Sequence, residues 1–505
     1  MTPEEGLAYK EENAKLKQQI ELMQEKIDYL VKKIYGSSSE RSSEDDGQLS
    51  LFEEQSSRVF TQPESTGEEI ETVKVCKKER HRTQIQKDLP VKEEVIPLDN
   101  DHCDHCGDKY IIFKKKVGRK IHFKPAELYI VQTYKEVGKC QKCSANINYF
   151  GDRLVSAKLP KTFMPGSLVA GDVVANIIQS KYELALPLER QRRSFKELGL
   201  NVSESNMCNW VITGSKCLQP LNDELLVQLK QQSHLHGDET PIQVLREPNK
   251  TAESKSFLWE IRSAKQAEHP IVYFHYSPSR SKEVAQQLYQ GFVGTLVCDG
   301  YASYNYIPDQ ATNAGCWAHS RRKFVDACHG IKSHRSQANK VLGLINQLFE
   351  IERKSKNLSL TELLRVRQNR SKPIVAELWE LLGSINYIKN SKLGRAIEYT
   401  CHQRPRLEVF LNDPQVAISN NIAERSIKTS VIGRKNWLFS TGVAGAKANA
   451  LFIGLYETAK FNHLNFRKYL IYLFERLPRL ENPTNVDRVR AYLPWANEVQ
   501  ELCHD

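Results

Sequence analysis

The chain has 505 residues, enough for about three or four domains at roughly 100–200 residues each. Hydrophobic residues make up 40% and charged residues 26%, a globular balance that excludes a wholly disordered or collagen-like chain. The formal charge is +11 but uneven: residues 40–71 carry ten acidic and two basic side chains, a net of −8, so the rest carries +19. A basic body favours a polyanionic partner, because each phosphate neutralised releases counterions. No stretch approaches the ~18 apolar residues of a membrane span. The acidic start, Met1-Thr2-Pro3-Glu4-Glu5, is unlike a secretory signal, so a cytoplasmic, nucleoid-associated location is expected.

Tyr9, Asn13, Leu16, Ile20, Met23, Ile27, Leu30 and Ile34 alternate by four and three residues, which predicts a coiled-coil helix over 1–35 and a homo-oligomer formed through it. A flexible acidic linker follows over 36–72, interrupted by Leu49, Leu51 and Phe52. Of the twelve cysteines, eight are scattered and four form the pairs Cys103-x-x-Cys106 and Cys140-x-x-Cys143, thirty-three residues apart. Two such knuckles complete a tetrahedral thiolate site, which predicts a structural Zn²⁺ in a zinc-binding domain over 73–150. Nine Lys or Arg and three acidic residues lie between the pairs, a composition suited to touching phosphates.

Residues 151–222 read as a helical, helix-turn-helix-like DNA-binding domain. Val169, Val173, Val174, Ile177 and Ile178 lie at helical spacing, Pro187 opens a second helix, and Ser203 caps a third after the Gly199–Val202 turn. An ordinary helical hairpin has the same spacing.

From 234 the texture changes to short strands. His234–Leu245, Phe257–Ile261, Ile271–His275, Thr295–Cys298 and Ala311–Trp317 read as strands, with helices at 281–290 and from His319. This β-β-β-α-β-α-β-α order is that of a ribonuclease H-like α/β core, in which the first and fourth strands are neighbours. Asp238 lies in the first strand and Asp299 ends the fourth, so their carboxylates can face each other. Glu424, in Ser419-Asn420-Asn421-Ile422-Ala423-Glu424-Arg425, is the best third acid, on a helix capped by Asn420 or Asn421. Hard Mg²⁺ (or Mn²⁺) ions need such oxygen ligands. Two ions ~3.5–4 Å apart serve phosphodiester displacement. His319, Arg321, Arg322 and Lys323 flank the acids, as do Arg425 and Lys428, and Gly433-Arg434-Lys435-Asn436-Trp437 reads as a basic turn ending in an aromatic, suited to a phosphate or unpaired base. Gly442–Lys447 lacks the spacing and the Ser/Thr of a phosphate loop, which excludes a nucleoside triphosphatase of that kind.

These residues resemble the transposases of the insertion sequence 66 family. The resemblance spans nearly the whole chain and is strongest at Gly237-Asp238-Glu239-Thr240-Pro241, Cys298–Asn305, Ala318–Phe324, Asn421–Arg425 and Gly433–Trp437. It implies a DDE triad on Asp238, Asp299 and Glu424, with Mg²⁺ and double-stranded DNA of transposon ends and target, and accessory proteins of the same element as further partners. Ser419 stands where members often have Asp. The resulting layout is a first catalytic part over 223–330, a helical insertion over 331–404, a second catalytic part over 405–460 and a helical tail over 461–505. A structure-specific nuclease that cuts without joining, and a DNA-binding regulator with a relic catalytic domain, are the alternatives.

Overall fold

A computed structural model of the chain describes residues 127–134, 136–139, 154–156, 159–328, 336–480 and 486–504. The heptad helix, the acidic linker, and Cys103, Cys106, Cys140 and Cys143 lie outside the described residues. Strands β1 (Val137–Lys139) and β2 (Leu154–Ser156) pair antiparallel, and the second cysteine pair falls in the sequence between them.

Three helices precede the main sheet: α1 (Gly171–Tyr182), α2 (Leu188–Glu197) and α3 (Glu204–Lys230). The apolar spacing over 174–178 is buried, Pro187 sits at the N-cap of α2, and Ser203 Oγ accepts from the Asn206 amide at 3.2 Å to cap α3. One boundary moves. α3 runs past residue 222, where the sequence reading ends its helical domain, because Leu218, Leu221, Leu225 and Leu229 extend the buried period. These helices share one hydrophobic core with the sheet.

The sheet strands are β3 (His234–Arg246), β4 (Lys255–Ser263), β5 (Val272–Ser277), β6 (Thr295–Cys298) and β7 (Thr312–Gly315), in the order β5-β4-β3-β6-β7. β3, β4 and β5 pair antiparallel, while β3–β6 and β6–β7 pair parallel. Helix α4 (Lys282–Tyr289) connects β5 to β6, and α5 (Trp317–Cys328) follows β7. The sheet is thus mixed, and the first and fourth of its strands are parallel neighbours.

Helices α6 (Gln337–Lys354), α8 (Lys372–Ser384) and α9 (Lys392–His402) build a second core with Val297, Ala314, Trp317 and Phe324, on the β6–β7 side of the sheet, while the short α7 (Leu360–Val366) buries none of its residues. Buried Arg367 joins this insertion to the chain returning from it. Its guanidinium makes two bonds to Glu352, at 2.8 and 2.7 Å, and donates to the carbonyls of Phe410, Asp413 and Val416 at 2.8–3.0 Å.

The chain then enters α10 (Asn421–Trp437), followed by β8 (Ser440–Gly442), α11 (Val443–Phe461) and α12 (Phe466–Arg476). Gly433–Trp437 is the last turn of α10 and not a free turn. Gly433 is buried, and the Trp437 ring folds back so closely that a Cβ at Gly433 would collide with it. β8 joins the far end of β3 in parallel, with Val244 opposite Ser440. In the helical tail, Phe466, Tyr469, Leu470, Leu473, Val489 and Val499 belong to the main core. Among the described residues, no helix is long and apolar enough to cross a membrane.

Candidate active site

Alternation along β3 sends His236, Asp238 and Thr240 to one face of the sheet and Gly237 and Glu239 to the other. Helix α10 covers the first face: Arg434 reaches Thr240 Oγ1 at 3.4 Å, and Asn420 meets His236 at 2.9 Å. Asp238 is half-buried there. Asp299 follows the last residue of β6, where its Oδ1 accepts from the Tyr301 amide at 2.9 Å. The parallel pairing of His236 with Val297 brings Asp238, within β3, beside the end of β6.

Glu424 occupies the first turn of α10. Asn420 stands at the N-cap position but makes no side-chain cap bond. Its side chain is fully buried and spent elsewhere: Nδ2 donates to the Gly237 carbonyl at 2.8 Å, and Oδ1 meets His236 Nδ1 at 2.9 Å. Its amide also donates to Cys316 Sγ at 3.1 Å. Capping is sacrificed to a junction between β3, the end of β7 and α10. Arg262 on β4 fastens the same helix from below, donating to the Ile422 carbonyl at 2.9 Å and to Ser426 Oγ.

The carboxylates feel one another. Burial pushes Asp238 up to about 8, and the charges of Glu239, Asp299 and Glu424 add to it, against one backbone hydrogen bond from Glu239. Glu424 leans toward cations: its oxygens lie 3.4 and 3.5 Å from Arg322 and 3.6 Å from His319 Nε2. Burial lowers the His319 pKa, although Asp299 and Glu424 pull it the other way. Among the described residues, no three Asp, Glu, His or Cys side chains stand close enough to share one ion. The donor set still fits a hard divalent cation. All three acids offer oxygen, and a carboxylate held up to about 8 by burial and like charge is one that a cation would stabilise.

The basic residues divide. His319 and Arg322 face Glu424. Arg321 donates to Asn346 Oδ1 at 2.7 Å, and Lys323 lies over the Tyr399 ring at 4.5 Å, so both turn toward the helical insertion. Arg434 is drawn inward to Thr240 and the Pro241 carbonyl. Trp437 is half-buried, edge-on to Tyr182 and covered by Lys181 at 4.5 Å, which leaves its face closed to a base. Arg425 and Lys435 stay exposed.

Two acids escaped the sequence reading. Glu239, on the opposite face of β3, accepts from Tyr304 Oη at 2.9 Å, lies 3.8 Å from Arg280, and is raised to about 7 by burial and by Asp299. Glu260 sits directly across from Asp238 on β4, fully buried, and burial raises its pKa well above the carboxylate range. Strict adjacency to Asp238 was the available signal for Glu239. Nothing local marks Glu260, whose place depends on strand register.

Comparison with known proteins agrees with this region. The model described as "Transposase IS66 family" matches residues 166–448, and one described as "Transposase C of IS166 homeodomain" matches residues 22–93. Three proteins of Sinorhizobium fredii are similar: uncharacterized protein y4jD, 28% identical over 81% of this chain and 81% of its own length; y4qI, 30% identical over 68% and 66%; and y4hP, 26% identical over 93% and 87%. With the family model covering more than half of its length, and that stretch holding Asp238, Asp299 and Glu424, the chain belongs to the IS66 family of transposases.

Proposed function

We propose that this transposase is of the DDE type, with a ribonuclease H-like core, and that it binds the ends of its element, cuts DNA there and joins the freed 3′-hydroxyl to target DNA. One observation carries the reading. Asp238 and Asp299 stand on adjacent parallel strands and Glu424 on the covering helix, and the charges of the latter two add to the burial that raises Asp238 to about 8.

Asp238, Asp299 and Glu424 would hold Mg²⁺ or Mn²⁺. When bound, the divalent ion supplies Lewis-acid stabilisation of charge developing on a phosphodiester. The chain's own groups do the rest. Arg322 and His319 lie against Glu424, where they would also meet a phosphate brought to the acids. Arg425, Lys428 and Lys435 offer exposed charge to the DNA backbone. The junction at Asn420 keeps Glu424 in register with Asp238. Cys103, Cys106, Cys140 and Cys143 would hold one structural Zn²⁺, and the heptad helix would pair copies of the chain.

The test is incubation of the protein with element ends and Mg²⁺, scoring cut and joined products. Asp238→Asn, Asp299→Asn and Glu424→Gln should each abolish both products while DNA binding survives. Full joining by any of the three would reject the triad, and cutting without joining would favour a nuclease. Purified protein should carry about one Zn²⁺ per chain, lost when Cys103 and Cys140 are both changed to Ser; folded, metal-free wild type would refute that site.

A further inference from the structure

The helix that carries Glu424 has a second working face. Arg425, Lys428, Ile432 and Lys435 follow one another at spacings of three, four and three residues, so they form a single stripe along α10. All four are exposed, and Glu424 is the only acid in the helix. The stripe runs into Leu438 and Phe439, which are 62% and 43% exposed, while Ile432 within it is 55% exposed.

Leu438 has an unusual backbone. Its φ of 63° and ψ of −56°, with the Phe439 amide donating to the Trp437 carbonyl at 2.7 Å, make a γ-turn of the rare, strained hand. A leucine gains nothing locally there, where glycine would be at ease. The turn is held from both sides. The Leu438 amide donates to the Arg434 carbonyl at 2.8 Å, closing the helix, and Ser440 is fixed by β8 pairing with β3 and by Asn449 Nδ2 at 2.9 Å. The result is a rigid apolar tip beyond a row of cations. An apolar side chain in that setting suits a partner with phosphates outside and stacked apolar surface inside, which describes duplex DNA opened at a base step.

We propose that Leu438 and Phe439 form a wedge that enters the terminal DNA and unstacks a base step while the cationic stripe grips the adjoining backbone. This rests on the DNA-transposase reading above. At ~1.5 Å per helical residue, the tip lies roughly 20 Å from Glu424 along α10. That is about six base pairs of duplex at ~3.4 Å each. The unstacked step is therefore expected within roughly four to eight base pairs of the cleaved phosphate.

The test uses the full-length protein without divalent metal and duplexes of element-end DNA, each bearing one 2-aminopurine, scanned across that window and read at saturating protein. Wild type should raise the emission at one or two adjacent positions. Leu438→Ser combined with Phe439→Ser should lose the rise. Leu438→Gly, which relieves the backbone and deletes the side chain, should lose much of it with no fall in melting temperature. Flat emission with wild type bound overturns the wedge and leaves the transposase reading standing. Retention of the full rise in the double variant, or in Leu438→Gly with Phe439→Ser, also overturns it. Failure of wild type to bind the duplex at all would remove the broader reading and the wedge with it.

Discussion

Asn420 Nδ2 donates to the Gly237 carbonyl at 2.8 Å, tying the strand residue before Asp238 to the helix start four residues before Glu424. Because that amide is a donor, Asn420 Oδ1 is the acceptor toward His236, which assigns the His236 proton to Nδ1. Asn420→Asp keeps the shape but sets an acceptor against the Gly237 carbonyl. It should destabilise the protein by about 1–3 kcal/mol, the cost of buried polar groups left unpaired. Thermal melting reads the first effect, and Mg²⁺-dependent cutting should fall with it. Wild-type melting in this variant would remove Asn420 from the role.

His236 also sets a pH dependence. Burial lowers its pKa to about 4, against an ordinary 6.5. The unfolded chain therefore binds a proton more readily between those values, and stability present above pH 6.5 is lost as pH falls through about 4. The difference amounts to roughly 3 kcal/mol at most, at ~1.36 kcal/mol per unit. Denaturant unfolding from pH 7 to 4 should show the fall, and His236→Gln, which keeps a donor but does not titrate, should flatten it. Parallel curves would assign the acid sensitivity elsewhere.

Divalent metal should act as a stabilising ligand. Removing it leaves Asp238 among like charges, and adding Mg²⁺ at 100 times its dissociation constant should stabilise the wild type by about 2.7 kcal/mol. Asp238→Asn should melt no lower than wild type without metal, since it removes a buried carboxyl whose ionisation is disfavoured. The same variant should lose most of the Mg²⁺ shift. An undiminished shift would mean that the ion binds away from Asp238.

Gly237 is needed for space. A Cβ there would collide with Tyr289 Oη, and would press on Leu296 and Tyr304 at 3.3 and 3.4 Å. Gly237→Ala should cost about 1–3 kcal/mol as an overpacking change and displace Asp238. The Tyr289 hydroxyl is buried without a hydrogen-bond partner, so Tyr289→Phe alone should be close to neutral and should partly rescue Gly237→Ala. Additive effects of the two substitutions in melting would contradict the contact.

Arg367→Met should be severe. It leaves Glu352 and three carbonyls of the 410–416 segment without their donor, and breaking a buried pair costs about 3–5 kcal/mol. Lysine should not rescue, because its single ammonium cannot reproduce the forked geometry. Unfolding should be seen first as faster amide exchange across the insertion. Wild-type exchange in Arg367→Met would show that the packed helices suffice.

Much of the layout is legible in neighbouring residues. The bounds Thr295–Cys298 of β6 match the expectation, since an apolar run between Gly294 and Asp299 leaves little else for that segment to be. The acids Asp238, Asp299 and Glu424 lie on the expected strand, strand end and helix. Less legible was how α10 ends. Its basic, Gly-containing close reads as a turn, yet Trp437 folding onto Gly433 keeps it helical.

Chain order, apolar period and residue chemistry by themselves determined the order of the sheet strands, the family resemblance and the elements on which the three acids lie, because each is written within a few neighbouring positions. Only the tertiary structure decided which groups those acids meet. Asn420 leaves its cap for a strand residue 183 positions away, Arg321 and Lys323 turn to the insertion, and Glu260 lies across from Asp238 on the next strand. A buried polar group takes whatever partner packing brings within reach, and no local pattern records that choice.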